Sequence, residues 1–313
     1  MPNYFNLIGI GLIMLKTLPV KDFSLKTSLE SGQFFRFKKF DEWYYVTLRD
    51  SLFRVRQKTN LLEFEGCSQS VLSNFFGLNC DYSAILKSVA KDACMENAVS
   101  CCSGLRLLRQ DPWECLVGFV LSSASNIKRI TANVHSLSTG SELKLGSEVS
   151  RALPRSGKLT AIHSSKLGFR AKYLAEINST VTEAWLSDIA KLPYESAKQE
   201  LMTLPGVGEK IADCVLLFGY GFLESFPVDV WMQRVMQENY CPELKKPVQI
   251  AEFGRKHFGK NAGYAQQFLY HWRRTCTQDN KLVLQKKSKQ HFFNKYAGYL
   301  GCGKTDDVMN YLR

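Results

Sequence analysis

The amino-terminal part of the chain alternates apolar and polar residues with a period of two, from about Lys16 to Phe64. Four such runs occupy positions 35–38, 43–48, 52–57 and 61–64, and turn-like dipeptides separate them at 41–42, 50–51 and 59–60. Alternation puts every second side chain on one face of a sheet, and that face can pack on a core. The pattern predicts an antiparallel meander in this part of the chain.

From Val71 onward, apolar residues recur every three or four positions, which is the spacing of an amphipathic helix. The sequence Asp-Pro-Trp-Glu at 111–114 combines an N-cap, a proline at the first helical position and a glutamate at the third. After the serine-rich stretch 122–125, a further helical face is formed by Ile127, Ile130, Val134 and Leu137. Helices are predicted to dominate as far as about Cys276. The predicted fold class is α+β, with an N-terminal antiparallel β-sheet domain followed by a mainly α-helical domain.

A glycine-rich turn lies between two short helical patterns. The first pattern begins near Pro193 and ends near 202–203, and the second has its apolar face at Ile211, Val215 and Phe218. Between them, Gly206 and Gly208 allow a tight turn, because glycine adopts positive φ at little steric cost. The turn presents the backbone N–H groups of 206–208 (Gly206, Val207, Gly208) to a phosphate at the start of the second helix. This pattern predicts a helix-hairpin-helix that binds a nucleic-acid backbone, although an ordinary interhelical turn has the same local sequence.

Lys210 and Asp229 are the residues best suited to carry chemistry. Lys210 lies in the first turn of the second helix, where the positive end of the helix dipole disfavours a charged ammonium and favours a nucleophilic amine. Asp229 begins another helical run, so its carboxylate is expected to cap that helix and to stay ionised. The same carboxylate could stabilise positive charge on a sugar or orient the attacking amine. A solvated surface lysine and a purely capping aspartate are the alternatives that the residues leave open.

Five strings in order resemble those of the helix-hairpin-helix glycosylase superfamily, and within it the 8-oxoguanine DNA glycosylase family. The hairpin, Lys210 and the Pro-Val-Asp at 227–229 form the central pattern. The other strings are Ser-Gly-Gln-Phe-Phe-Arg at 31–36, Asp-Pro-Trp-Glu at 111–114, Leu-Gly-Phe-Arg-Ala-Lys-Tyr at 167–173 and Gly-Tyr-Ala-Gln at 263–266. The resemblance extends from about Leu18 to Cys276, and it implies that the mainly helical part is a helix-hairpin-helix glycosylase domain.

The resemblance implies a bifunctional base-excision repair enzyme. It would flip 8-oxoguanine out of duplex DNA, remove it, preferentially opposite cytosine, and nick the strand at the abasic (AP) site by β-elimination. Lys210 would attack the anomeric sugar carbon and form a Schiff base, and Asp229 would assist. No cofactor is implied, and the partner is double-stranded DNA that contains oxidised guanine, bound by a protein that is expected to be monomeric.

Two alternative functions stay open on the sequence alone. A glycosylase of the same fold for another damaged base would keep Lys210 and Asp229 but would need a different pocket. A non-catalytic helix-hairpin-helix DNA-binding module would use the hairpin for phosphate only, and it would need neither residue at this spacing.

Four residues would border the base pocket by this resemblance: Gly32, Cys214, Gln266 and Tyr270. The carbonyl of Gly32 would accept the N7–H that 8-oxoguanine has and guanine lacks, and Gln266 would read the Watson–Crick edge. Gln266 and Tyr270 are one helical turn apart, which places an amide beside an aromatic ring, as recognition of a flipped base requires. Tyr270 could equally be a core aromatic residue.

Residues that would act on the opposite strand show a departure from the family. Arg129 and Arg170 match an arginine pair that reads the estranged cytosine, and Phe169 takes the place of a tyrosine wedge. The usual run of three asparagines is reduced here to Asn126. The first asparagine ordinarily enters the gap left by the flipped base, which Ala124 cannot do, so we expect looser recognition of the opposite base.

Contacts with the DNA backbone are expected beyond the hairpin. Trp231 stands where animal members carry a phosphate-contacting histidine, and its indole N–H could still donate to a phosphate. The chain has 41 basic and 29 acidic residues and a net charge of +12, which suits a polyanionic partner. Many proteins that bind no nucleic acid are as basic, so the charge agrees with the prediction without establishing it.

The size of the chain, 313 residues with 45% hydrophobic content, is sufficient for two domains. We predict an N-terminal segment at 1–15 that need not belong to the core, and Met14 could be the true start. Residues 16–105 would form the antiparallel sheet with helices, and 106–280 the helix-hairpin-helix glycosylase domain. Residues 281–313 would form a basic C-terminal tail of unknown role, most simply a solvated one.

The ten cysteines contain no C-x-x-C pair and no four-cysteine loop, so neither a zinc ribbon nor an iron–sulfur cluster is expected, and no metal site is predicted. The apolar stretch 4–15 is too short to span a membrane and lacks a basic flank. The cysteines are therefore expected to be reduced thiols in a protein that is not secreted. The expected location is the cytoplasm (nucleoid) of a prokaryote or the nucleus of a eukaryote.

Overall fold

The computed structural model describes residues 15–275. The predictions for the segment before Leu15 and for the tail 281–313 lie outside the described residues. A five-stranded antiparallel sheet comes first, with its strands in the order β1-β5-β4-β3-β2. These strands are β1 (Lys16–Pro19), β2 (Phe37–Phe40), β3 (Trp43–Leu48), β4 (Ser51–Lys58) and β5 (Leu61–Glu65).

The predicted meander is confirmed for β2 to β5, which pair in sequence order. The alternation predicted that its first strand begins at Phe35, but the strand begins at Phe37. Phe34 and Phe35 are both buried, and they pack in two different cores, so the segment before Phe37 passes between these cores instead of joining the sheet. The sequence also did not single out β1, which pairs with β5 at the far edge of the sheet.

Helices make up most of the rest of the described chain, as predicted. Two of them belong to the sheet region, α1 (Leu25–Glu30) and α2 (Gln69–Phe75). The others are α3 (Tyr82–Val89), α4 (Ala93–Cys101), α5 (Pro112–Val120), α6 (Ile127–Leu137), α7 (Arg170–Thr180), α8 (Glu183–Ile189), α9 (Tyr194–Met202), α10 (Glu209–Val215), α11 (Val230–Asn239), α12 (Pro247–Phe258) and α13 (Ala262–Thr275). A π-helical turn, Leu216–Tyr220, continues α10.

Two hydrophobic cores form around these elements. The smaller core lies between the sheet, α1 and α2, and it contains the fully buried rings of Phe53, Phe64 and Phe75. The larger core belongs to the helices, where α3 and α4 pack on α13, and α5 packs on α10. Helices α10 and α13 are therefore held rigidly, and both carry residues predicted for the site.

A short β-hairpin interrupts the helices that were predicted after α6. Its strands are β6 (Glu142–Leu145) and β7 (Glu148–Arg151), and β6 packs against β4 of the sheet. The hydroxyls of Thr47 and Ser150 are hydrogen-bonded at 2.8 Å, which fastens the hairpin to β3. The sequence carried a signal for this hairpin that our interpretation missed, because Leu143 and Leu145 alternate with polar residues and Gly146-Ser147 forms a two-residue turn before β7.

Within residues 15–275, no helix is long and apolar enough to cross a membrane. In the same part of the chain, no three His, Cys, Asp or Glu side chains are placed to hold a metal ion. The expected lack of a metal site stays a prediction.

Candidate active site and nucleic-acid interface

The turn between α9 and α10 has the positive φ that was predicted for glycine at Gly206 but not at Gly208, where φ is −102°. Gly206 has φ +75°, and a Cβ built there would lie 2.5 Å from the ring of Tyr173, so a side chain does not fit. Val207 is buried in the helical core and anchors the turn. Gly208 is exposed, with no atom within 4 Å of where its Cβ would be, and α10 begins directly after it. The helix-hairpin-helix is thus confirmed as a local structure with an open tip.

A buried network of charges lies beneath this hairpin. Lys198 of α9 forms ion pairs with Glu209 and Asp213 of α10, and its Nζ lies 3.1 Å from Oδ2 of Asp213. The hydroxyl of Tyr194 also donates to Asp213. Burial raises the pKa of Asp213, and the charge of Lys198 opposes that shift. Breaking a buried ion pair by removing one partner costs about 3–5 kcal/mol, so the network fixes α10 relative to α9.

Lys210 lies in the first turn of α10, as predicted, and its side chain is half-buried. Its ammonium donates to Oγ of Ser122 at 2.7 Å, and Nζ lies 5.4 Å from the centre of the Phe119 ring. Lys210 is therefore not a solvated surface lysine. Its amine is held at the wall of a cavity, close to an aromatic ring and a hydroxyl that the sequence had not connected with it.

Asp229 is the N-cap of α11, where its Oδ1 accepts the backbone N–H of Met232 at 2.8 Å. This confirms the predicted cap. Its carboxylate also raises the pKa of the Cys214 thiol and of the Tyr270 phenol, although burial is the main cause of both shifts. The carboxylate therefore acts electrostatically on the same cavity that Lys210 borders.

One cavity of about 310 Å³ brings together most of the residues predicted for the site. Its volume is within the range of ~300–1,000 Å³ that is typical of small-molecule sites. Eight of the predicted residues line it: Gly32, Asn126, Lys210, Cys214, Asp229, Trp231, Gln266 and Tyr270. Residues that were not predicted complete the wall: Phe35, Phe119, Ser122, Ser125, Ile127, Ile130, Phe218, Pro227, Gln267 and Arg274.

The polar groups of this cavity suit a flat, hydrogen-bonding ligand. Gln266 is only 5% exposed, and its Oε1 has no hydrogen-bond partner among the described residues. Burial raises the pKa of Cys214 to about 12, so its sulfur is a neutral, polarisable thiol. Tyr270 is half-buried one helical turn after Gln266. A buried acceptor without a partner is costly, and a ligand with an N–H edge would satisfy it.

A larger groove of about 760 Å³ adjoins this cavity and follows the hairpin. Gly206, Gly208, Lys210, Asp229 and Trp231 line it, together with the start of α12. Trp231 and Val230 are exposed along this groove. The open hairpin tip, the cavity and an exposed indole thus lie along one continuous surface.

The structure places Arg129, Phe169 and Arg170 outside the lining of the cavity. Arg170 is buried, and it donates from Nε to the carbonyl of Ser123 and from Nη2 to the carbonyl of Ala124, each at 2.8 Å. Burial lowers the pKa of Arg170, and the nearby charge of Arg129 lowers it further, so the two arginines are neighbours. Arg129 and Phe169 are exposed, and the Phe169 ring lies 4.4 Å from the Arg170 guanidinium.

Residues missed by the sequence analysis reach the cavity from distant parts of the chain. Ser122 and Phe119 come from the end of α5, and Arg274 comes from the end of α13. No local pattern marks a serine or an arginine of this kind as part of a site. The one available signal was the spacing of Arg274, which lies one helical turn beyond Tyr270.

Comparisons with known proteins agree with this arrangement. Residues 16–116 match the family model described as 8-oxoguanine DNA glycosylase, N-terminal domain. A probable N-glycosylase/DNA lyase of the archaeon Methanothermobacter thermautotrophicus is 31% identical in an alignment that covers 56% of this chain and 66% of that protein. An N-glycosylase/DNA lyase of Arabidopsis thaliana is 28% identical over 82% of this chain and 80% of its own length.

Solved structures show the same likeness in three dimensions. The 8-oxoguanine glycosylase/lyase of Clostridium acetobutylicum, crystallised with double-stranded DNA that contains cytosine opposite 8-oxoguanine, superposes with a TM-score of 0.77. It is 28% identical, and the match covers 83% of this chain and 97% of that one. The N-terminal sheet and the helical part that bears the hairpin therefore occur together in a known fold.

Proposed function

Because the chain belongs to the 8-oxoguanine DNA glycosylase family of the helix-hairpin-helix superfamily, we propose that it is a base-excision repair N-glycosylase/AP lyase. Its substrate is double-stranded DNA that carries 8-oxoguanine, preferentially opposite cytosine. The enzyme flips the damaged base, releases it through a Schiff base at Lys210, and then cleaves the strand by β-elimination. It works as a monomer in the nucleoid or the nucleus, without a cofactor.

The observation that carries this proposal is the convergence of Lys210 and Asp229 on one cavity with a base-reading set of side chains. The amine of Lys210 and the carboxylate of Asp229 border the same 310 Å³ space as Cys214, Gln266 and Tyr270. A DNA-binding module that only grips phosphate has no use for such a cavity. The groove along the hairpin would place the sugar-phosphate backbone beside the cavity mouth.

The proposed binding step uses the hairpin and the cavity together. The N–H groups of Gly206 and Gly208 and the indole of Trp231 hold phosphates that flank the lesion. The N–H of Val207, which the sequence analysis included, donates to the carbonyl of Leu204 at 3.1 Å, so Val207 anchors the turn instead. The base enters the cavity and stacks between Tyr270 and the sulfur of Cys214, with Gln266 on its Watson–Crick edge. Gly32 has φ +86° and lines the cavity with backbone alone, because a Cβ at this position would lie 2.9 Å from the side chain of Ile127. Its carbonyl accepts the N7–H of 8-oxoguanine, where the N7 lone pair of guanine would be repelled.

The proposed chemistry exchanges one bond at the anomeric carbon for another. The bond between C1′ and N9 breaks and its electron pair leaves with the base, while the Lys210 amine forms a bond to C1′. The Asp229 carboxylate stabilises the positive charge that develops on the sugar. Loss of a proton from nitrogen and opening of the sugar ring give the Schiff base, and β-elimination of the 3′ phosphate follows.

The opposite strand would be read by exposed groups near the cavity. Arg129 and Asn126 face solvent at the start of α6, and Phe169 is 56% exposed, as a wedge must be to enter a duplex. Arg170 supports the loop at 123–124 through the carbonyls of Ser123 and Ala124, and it would reach cytosine only after releasing them. We further propose that 16–105 and 106–280 act as two domains around this site, with 281–313 as an appended tail.

Borohydride trapping tests the proposal on duplexes that carry 8-oxoguanine opposite each of the four bases. We expect a covalent adduct with the wild type, strongest opposite cytosine, and none with Lys210→Gln, which should still bind DNA. Lys191→Gln is the matched control, because Lys191 is exposed and pairs with Asp188. Full base release by Lys210→Gln would contradict the proposal.

The same trap separates the alternative functions. An adduct at abasic sites without any at 8-oxoguanine would indicate a glycosylase for another damaged base. No adduct on either substrate, with DNA binding intact, would indicate a non-catalytic DNA-binding module.

A further inference from the structure

Arg274 is a fixed cation in the wall of the base cavity. Its Nη1 donates to the backbone carbonyl of Ser31 at 3.1 Å, and its guanidinium carbon lies 5.2 Å from the centre of the Tyr270 ring. A Cβ built on Gly32 would lie 2.6 Å from the same Nη1, so the guanidinium rests directly against Gly32. A guanidinium has five N–H donors, more than Ser31 and Tyr270 can occupy.

The spacing along α13 puts Arg274 and Gln266 at opposite ends of the Tyr270 ring. Gln266 precedes Tyr270 by four residues and Arg274 follows it by four, so the two are about 12 Å apart along the helix axis. A base that stacks on Tyr270 with its Watson–Crick edge at Gln266 turns its five-membered ring towards Arg274. In that ring, the atom beside N7 is C8, which carries O8 in 8-oxoguanine.

We propose that Arg274 donates a hydrogen bond to O8 of the flipped base and so reads the oxidised atom itself. This inference rests on the proposed function and adds a residue to it. Guanine carries a hydrogen at C8, which cannot accept, so the guanidinium would face a C–H group in a partly desolvated site. Selectivity for 8-oxoguanine over guanine then comes from two neighbouring groups of the base. Its N7–H donates to the carbonyl of Gly32, and its O8 accepts from Arg274.

The same contact acts on the leaving group. When the bond between C1′ and N9 breaks, its electron pair goes to the base, and part of the negative charge is delocalised onto O8. A guanidinium at O8 stabilises this charge more in the transition state than in the bound substrate. Arg274 therefore contributes more to the rate of base release than to the affinity for damaged DNA.

Single-turnover base release by the full chain tests the proposal, with 8-oxoguanine and 8-thioguanine opposite cytosine. 8-Thioguanine keeps the N7–H but has sulfur, a weak acceptor, in place of O8. We expect the wild type to release 8-oxoguanine much faster than 8-thioguanine. Arg274→Leu should slow release of 8-oxoguanine by about 10- to 100-fold and bring the ratio of the two rates towards one. Arg274→Gln makes the same test with a smaller loss of packing.

Arg273→Leu is the matched control, because Arg273 is the neighbouring arginine and pairs with Glu238 at 2.9 Å. It should leave both rates and their ratio unchanged. Trapping at an abasic site, which has no base to read, should fall far less in Arg274→Leu than base release does.

Two results would overturn the inference. An unchanged ratio of the two rates would mean that Arg274 acts only through Tyr270. An equal loss of trapping at abasic sites would mean that it contacts phosphate or supports the fold. If the wild type traps at abasic sites but releases no 8-oxoguanine, the proposed function itself fails, and this inference fails with it.

Discussion

The side-chain nitrogen of Lys210 and the hydroxyl oxygen of Ser122 are 2.7 Å apart, which joins the start of α10 to the end of α5. The Ser122 hydroxyl donates its own proton to the carbonyl of Phe119 at 2.6 Å. Its oxygen can therefore only accept from Lys210. Both residues line the cavity and the adjoining groove, so this bond fixes the amine where the two spaces meet.

Ser122→Ala should slow the formation of the Schiff base because the amine loses its anchor. One hydrogen bond to a charged group of this kind corresponds to a rate loss of about 10- to 150-fold. Single-turnover base release measures the effect, and DNA affinity should not change. Ser125→Ala is the control, because this hydroxyl borders the same cavity and has no hydrogen-bond partner in the described part of the chain. A faster Ser122→Ala enzyme would show that the serine holds the amine away from the sugar.

Asp229→Asn separates the two roles of that carboxylate. Asparagine caps helices about as well as aspartate, so the bond to the N–H of Met232 is kept while the charge is lost. We expect Asp229→Asn to fold with wild-type stability and to release base about 100-fold more slowly. Asp229→Ala should be as slow and also less stable by about 1 kcal/mol. Urea unfolding and single-turnover kinetics give the two readouts, and an active Asn variant would reduce Asp229 to a cap.

Arg129 and Arg170 should differ although both match the arginine pair of the family. Arg170→Ala removes donors from three backbone carbonyls, those of Ser123, Ala124 and Leu167, of which the bond to Leu167 is buried. We expect it to cost about 1–3 kcal/mol of stability and to slow release opposite all four bases. Arg129→Ala removes an exposed side chain, so stability should hold while the preference for cytosine weakens. If Arg170→Ala changes only the preference for cytosine, and neither the stability nor the rate of release opposite the other bases, its contacts with the carbonyls do not support the fold.

Local signals in the sequence were sufficient for caps and turns but not for contacts between distant elements. Asp111 and Asp229 cap their helices as predicted, since an N-cap depends on the next three residues. The hairpin at 206–208 was predictable because Gly206 adopts the positive φ that a tight turn requires, whereas Gly208 has φ −102°, which any residue adopts. Ser122 and Arg274 reach the cavity only through the packing of α5 and α13 on other elements. For Ser122 no spacing within the chain carries that information, and for Arg274 the one sign is its place a helical turn after Tyr270.

His271 gives the protein a pH-dependent stability on the acid side. Burial lowers its pKa from the ordinary 6.5 to about 4, and the charge of Arg274 contributes, while Glu30 opposes the shift. Between these values the unfolded chain binds a proton that the folded chain does not, so the free energy of unfolding falls as pH drops from 6.5 to 4. In His271→Phe this contribution is absent. Urea unfolding at pH 7 and pH 5 should show a smaller loss in the variant, and equal losses would contradict the lowered pKa.

Ala124→Asn should improve both stability and recognition of the opposite base. Ala124 has φ +45°, a conformation that is unfavourable for alanine and in which asparagine is several-fold enriched. Its side chain is exposed beside the groove, so an amide there could reach the base left unpaired by flipping. We expect a gain of up to about 1 kcal/mol in the free energy of unfolding and a larger ratio of release opposite cytosine to release opposite adenine. Ala124→Gly controls for the backbone, because it relieves the same strain without adding an amide. A ratio that rises equally in both variants would attribute the effect to the loop, and an unchanged ratio in Ala124→Asn would show that position 124 does not contact the opposite base.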